Sequence, residues 1–120
     1  MQDYHEPIDE LQPQDRNYIR ALNSLKEEIE AVNWYHQRVA ASNDPQLKSI
    51  MAHNRDEEIE HACMALEWLR RNMPGWDEQL KTYLFKSGDI TTLEEEAESG
   101  ESESGSKGSS DIGIGSLKST

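Results

Sequence analysis

The stretch from Asp44 to Asn72, DPQLKSIMAHNRDEEIEHACMALEWLRRN, decides the fold. Asp44 can cap a helix, and Pro45 suits the first turn because its missing N–H would be unpaired there anyway. From there Leu47, Met51, Asn54, Glu58, His61, Ala65 and Trp68 follow steps of three and four, the spacing that lines one face of an α-helix. Arg70 and Arg71 fall in the last turn, where cations favour the helix dipole, and Pro74-Gly75 stops it. The expectation is a helix from about Pro45 to Asn72, roughly 40 Å long at about 1.5 Å per residue.

Three of those seven positions are polar. A carboxylate where packing wants a Leu is costly unless something compensates its charge. Glu58 and His61, three apart, point the same way and form Glu-x-x-His, the pairing that ferritin-like di-iron bundles use. On an exposed helix face the same pair would merely be solvated, so its place in the seam is what counts.

Upstream, Leu22, Leu25, Ile29, Val32 and Val39, with His36 in the one missing slot, predict a first amphipathic helix over about Gln14 to Ala41. The short connection Ser42-Asn43-Asp44-Pro45 makes the two helices antiparallel neighbours. Glu28, in the run Glu27-Glu28-Ile29-Glu30, lies one step from the seam residue Ile29 and shares a face with Val32 and Tyr35. Antiparallel packing can therefore bring Glu28 level with Glu58 and His61. The Tyr35 phenol would sit one or two turns away, close enough to hydrogen-bond a ligand carboxylate, although plain packing is the other reading.

A complete ferritin-like site needs a Glu from each of two helices and a Glu-x-x-His from each of two more. This chain has one of each, so two chains must meet. The expected centre is two irons between two protomers, ligated by paired Glu28, Glu58 and His61, with Ca²⁺ or Zn²⁺ as surrogates. Glu27, Glu30 and Trp34 form a neighbouring stripe with two readings, an outer site where cations enter or a solvated acidic face with an interfacial Trp. His5 and His36 stay unassigned, and Cys63 reads as packing.

Beyond the second helix, Trp76, Leu80, Tyr83 and Leu84 share one face of a shorter helix that ends at Ser87-Gly88. No strand signal appears. The fold class is all-α: an antiparallel two-helix hairpin plus a short C-terminal helix over residues 1–93, dimerising into a four-helix bundle. From Glu94 to Ser110, EEEAESGESESGSKGSS, one Ala is the only apolar residue, which reads as a flexible acidic linker, with 111–120 completing a disordered tail.

The 120 residues allow one small domain and exclude a two-domain enzyme. Twenty-four acids against 12 bases give a net charge of -12, which repels phosphate backbones and anionic lipid, so nucleic acid and membrane are excluded as partners and cations favoured. Residues 94–120 hold seven acids and two bases, which leaves -7 on residues 1–93, so the body itself is acidic. No apolar run approaches the roughly 20 residues of a bilayer span, and MQDYHEPIDE lacks signal-peptide regions, so a cytosolic protein is expected. A lone Cys63 rules out an intrachain disulfide and a Cys-based zinc motif.

The stretches EEIEAVNWYHQRVAAS, NDP and MAHNRDEEIEHACMALEWLRRN closely resemble the encapsulated ferritins, bacterial proteins housed in encapsulin shells, over roughly His5 to Leu93. The final DIGIGSLK, Asp111 to Lys118, resembles the peptide by which cargo docks on the shell's inner wall. Its Ile112 and Ile114 fall on one side of an extended strand, and Leu117 adds a third anchor. The resemblance implies a dimer around a ferroxidase centre, assembled as a ring of five dimers, a decamer, in a nanocompartment of the bacterial cytoplasm. It implies Glu28, Glu58 and His61 as iron ligands, Tyr35 near the centre, and Glu27, Glu30 and Trp34 as the outer metal site. The expected activity is oxidation of Fe²⁺ to Fe³⁺ by dioxygen or another oxidant, supplying mineral storage inside the shell. The rival reading is a non-catalytic metal-binding or scaffold cargo protein.

Overall fold

The computed structural model describes residues 4–103, and among them all regular structure is helical. A 3-10 turn at Ile8–Glu10 leads into α1, Pro13–Ala41, which is followed by α2, Pro45–Asn72, and α3, Trp76–Tyr83. A second 3-10 turn, Ile90–Thr92, runs into α4, Leu93–Glu103.

Local chemistry accounts for each boundary. The Asp15 carboxylate accepts from the Gln12 backbone N–H at 3.1 Å beside Pro13, opening α1. Asp44 accepts from the Leu47 N–H at 3.0 Å beside Pro45, opening α2. Gly75 and Gly88 take φ values of 102° and 98°, the left-handed region that only Gly enters freely, in the turns that follow α2 and α3.

Contacts across the hairpin fix its direction. The Tyr18 hydroxyl donates to the Asn72 carbonyl at 3.0 Å, Glu28 faces His61, and Arg55 donates to the His36 Nδ1 at 3.1 Å. As positions rise from 18 to 28 to 36 on α1 they fall from 72 to 61 to 55 on α2, so the helices run antiparallel as expected.

The seam differs from the sequence reading by one residue on α1. Leu22, Leu25, Glu28, Val32, Tyr35 and Val39 are half-buried, whereas Ile29 is 56% exposed and His36 is exposed. The series through Glu28 and Tyr35 keeps the three-four spacing as faithfully as the series through Ile29 and His36. On α2, Met51, Asn54, Glu58, Ala65 and Trp68 are half-buried as expected, while Leu47 and His61 are exposed.

The chain divides into two compact units, one ending at Asp77 and the next beginning at Glu78. Among the described residues the first unit fully buries one large side chain, Leu69, and leaves Ile29, Leu47, Ile50, Ile59 and Met64 exposed. In the second, Leu93 is buried at the start of α4.

The expected linker Glu94–Ser110 is corrected in its first part, because α4 extends to Glu103. Composition excluded a core but did not exclude a helix. Glu and Ala are good helix formers, and Glu94, Glu95 and Glu96 in the first turn complement the positive end of the dipole. Residues 104–110, and the expected docking anchors Ile112, Ile114 and Leu117, lie outside the described residues.

Candidate metal centre

Three donors converge between α1 and α2. Glu28 comes from the first helix and Glu58 and His61 from the second, and one ligand atom from each lies within 4.8 Å of the others. The His61 Nδ1 is 3.2 Å from the Glu58 Oε1 and 3.7 Å from the Glu28 Oε1. The glutamates are half-buried, and the imidazole is 48% exposed. Their convergence follows from two helical facts: three residues separate Glu58 from His61 on one face, and the antiparallel register sets Glu28 opposite them.

The three groups shift one another's titration. A hydrogen bond with Glu58, reinforced by partial burial, raises the Glu28 pKa above its ordinary value of 4.5. The same bond, together with the His61 contact, lowers that of Glu58. His61 is raised above its ordinary 6.5, chiefly by its hydrogen bond to Glu58. The two adjacent carboxylates are thus pushed in opposite directions by their mutual hydrogen bond, and the Glu58 carboxylate in turn favours the protonated form of His61.

Such a cluster suits a divalent cation. Carboxylate oxygens and an imidazole nitrogen are hard and borderline donors, the set that takes Fe²⁺ or Zn²⁺, and a cation competes with protons for these groups. Among the described residues this is the one group of three or more such side chains gathered closely enough to hold an ion.

The remaining expected residues lie apart from this triad. Tyr35 is half-buried in the seam, and the Arg38 guanidinium lies 5.2 Å from its ring centroid; the structure gives it no hydrogen bond to the three donors. Glu27 and Glu30 are exposed, with Glu27 contributing only a weak repulsion that helps to raise Glu28. Trp34 is exposed and lines an open groove with Gln37, Arg38 and Ala41.

Two polar links escaped the sequence reading. His36, left unassigned, accepts from Arg55 across the hairpin, and Arg55 also donates to Asp56 at 3.0 Å. Arg70 donates to Glu67 through two nitrogens at 2.7 Å and to Asp77 at 2.6 Å. The first was findable, since the antiparallel register sets His36 opposite Arg55. The second needed the course of the chain after Pro74.

Comparison with known proteins is consistent with this geometry. The EncFtn-like family matches residues 3–87. A protein of Thermotoga maritima named "Ferritin-like protein" is 60% identical over 114 residues, 95% of this chain and 96% of its own. An "Encapsulated ferritin-like protein" of Rhodospirillum rubrum is 52% identical over 121 residues, 95% of this chain and 86% of its own. A crystal structure of a Nitrosomonas europaea protein superposes with a TM-score of 0.72 at 54% identity, covering 74% of this chain and 98% of that one.

Proposed function

The chain belongs to the EncFtn-like family, and on that basis we propose that it is a ferroxidase that oxidises Fe²⁺ at a centre shared between two copies of itself. The observation that carries this reading is the convergence of Glu28, Glu58 and His61 within 4.8 Å on opposed helices. It is half of the two-fold donor set that a ferritin-like di-iron centre requires.

The surface around the triad supports a second copy. His61 shares its helical face with Leu47, Ile50 and Met64 by three-four spacing, and all four are exposed. An imidazole ligand amid uncovered apolar residues favours an isologous partner, which would cover that stripe and bring its own Glu28, Glu58 and His61. The thin core of the hairpin supports the same step, since its seam is only half-buried in one chain apart from Leu69.

In this centre Fe²⁺ is the substrate. Each ion gives up one electron to dioxygen or another oxidant, and the chain supplies the pocket that holds a pair of ions together. Glu28 and Glu58 offer carboxylate oxygens and His61 a ring nitrogen, each as a ligand in its deprotonated form. Tyr35, on the same half-buried face of α1 as Glu28, lies near enough in sequence to orient a ligand when the partner is in place. Glu27, Glu30 and Trp34 form the outer approach for metal.

The oxidised product passes to a surrounding encapsulin shell, the association suggested by the name of the Rhodospirillum rubrum relative. Ile112, Ile114 and Leu117 anchor the chain to the shell wall, and dimers assemble into a ring of five. Anaerobic Fe²⁺ titration followed by native mass spectrometry tests the shared centre. Two irons per pair of chains are expected for the wild type and none for Glu58→Ala; a fully loaded wild-type monomer would refute it.

A further inference from the structure

Met64 is the most exposed large apolar side chain of the first unit among the described residues, at 60%. It follows His61 by three residues on α2, so its thioether leaves the same face one helical turn away, about 4.5 Å further along the axis. The other methionines among the described residues are placed differently. Met51 and Met73 are half-buried and lie about 15 and 18 Å along the chain axis from His61. The Met73 sulfur also accepts from the Trp76 indole N–H at 3.4 Å. Of the three, only Met64 joins an open thioether to a place beside the donor triad.

Packing does not call for sulfur there. Leu47 and Ile50, also exposed, are the other apolar members of the stripe, and a Leu fills nearly the same volume as a Met. What the thioether adds is chemistry, because its sulfur takes up an oxygen atom and the apolar side chain becomes a polar sulfoxide. The exposed thiol of Cys63 lies two residues from His61, about 200° round the helix and off this face.

We propose that Met64 is oxidised to its sulfoxide by hydrogen peroxide formed at the shared centre, and that the sulfoxide loosens the pairing of the two chains. The inference rests on the shared-centre reading and adds a regulation to it. Two ferrous ions give one electron each to dioxygen, which takes up two protons and becomes hydrogen peroxide. The peroxide O–O bond then breaks; one oxygen bonds to the Met64 sulfur, which is oxidised by two electrons, and the other leaves with both protons as water. Nearness to the triad raises the rate of this transfer over that of peroxide diluted in solution. A two-fold pair brings Met64 of each chain to the same stripe, so each oxidised pair covers two polar sulfoxides where it had apolar contact. Turnover in dioxygen thereby limits itself, and enzymatic reduction of the sulfoxide restores the pair.

The test uses the full chain carrying Cys63→Ser, so that no thiol competes, with catalase in solution to remove escaped peroxide. After repeated additions of Fe²⁺ in air, peptide mass spectrometry reads each methionine, and sedimentation with Zn²⁺ reads pairing. Met64 should gain one oxygen while Met51 and Met73 stay reduced, and in Glu58→Ala all three should stay reduced. The oxidised protein should pair about ten-fold more weakly or worse. Met64→Leu, put through the same turnover, should pair as tightly as before. Met64 left reduced while iron is oxidised above the protein-free rate would overturn the proposal and leave the shared centre intact. So would equal oxidation of Met64 in Glu58→Ala, or a Met64 sulfoxide that pairs as tightly as the thioether. Iron oxidation no faster than the protein-free control would remove both readings.

Discussion

The carboxylate of Glu28 on α1 lies 3.7 Å from the Nδ1 of His61 on α2, and both groups hold their protons more tightly than they would in water. A metal ion binding between them competes with protons for both groups. Zn²⁺ affinity should therefore rise with pH, from the ordinary carboxyl value of 4.5 through and above the ordinary imidazole value of 6.5. Calorimetry in two buffers of different ionisation enthalpy should detect proton release on binding. Affinity independent of pH over that range would mean that neither group is a ligand.

Glu67 should govern acid stability independently of metal. The guanidinium of Arg70, and then that of Arg71, hold its carboxyl down to about 2 from 4.5. A lowered folded-state value adds stability that is fully present above 4.5 and is lost as the pH falls towards 2. The Glu67 side chain is 40% exposed, so solvent screening limits the effect to about 1 kcal/mol or less. Glu67→Gln should lower stability to denaturant at pH 7, and the gap from wild type should close as the pH approaches 2. A gap that stayed constant would assign the loss to packing.

The helix boundaries and the triad were legible because each rests on a local signal. Asp44-Pro45 marks the start of α2, Pro74-Gly75 its end, and Glu58-x-x-His61 a shared face. The seam of α1 was not fully legible, because its sequence carries two parallel stripes. Ile29 belongs to a stripe that is uncovered in one chain, whereas Glu28, polar and thus discounted as a core residue, takes the inward slot. A sequence can show that a helix has two apolar faces without showing which face meets its own partner helix. The helix after Leu93 was missed because low hydrophobicity argues against burial, while Glu-rich composition still favours local helix.

The outer acids should act on metal traffic. Glu27 and Glu30 are exposed and stand outside the donor triad. Replacing both by Gln should alter the rate of Fe²⁺ uptake in stopped-flow measurements while oxidation continues. Complete loss of oxidation would put the primary site on the other side of α1.

The C-terminal residues 111–120 should be needed for packaging and dispensable for chemistry. Deleting them should leave Fe²⁺ oxidation by the isolated protein unchanged and abolish co-purification with a co-expressed encapsulin shell. Fusing those ten residues to an unrelated protein should confer loading. A deletion variant that is still packaged, with a fusion that is not, would remove the docking role of Ile112, Ile114 and Leu117.

The most direct test of the shared oxidation centre is the ferric absorbance that follows addition of stoichiometric Fe²⁺ in air. It should be read for the wild type, for Glu58→Ala and for a protein-free control, with helix content checked by circular dichroism. Replacing Glu58 removes one ligand from each half of the centre, so the helix content separates loss of a ligand from loss of the fold. The account predicts that the wild type oxidises iron well above the control rate while Glu58→Ala, equally helical, falls to that rate. Wild-type oxidation no faster than the control, or undiminished oxidation by Glu58→Ala, would contradict it.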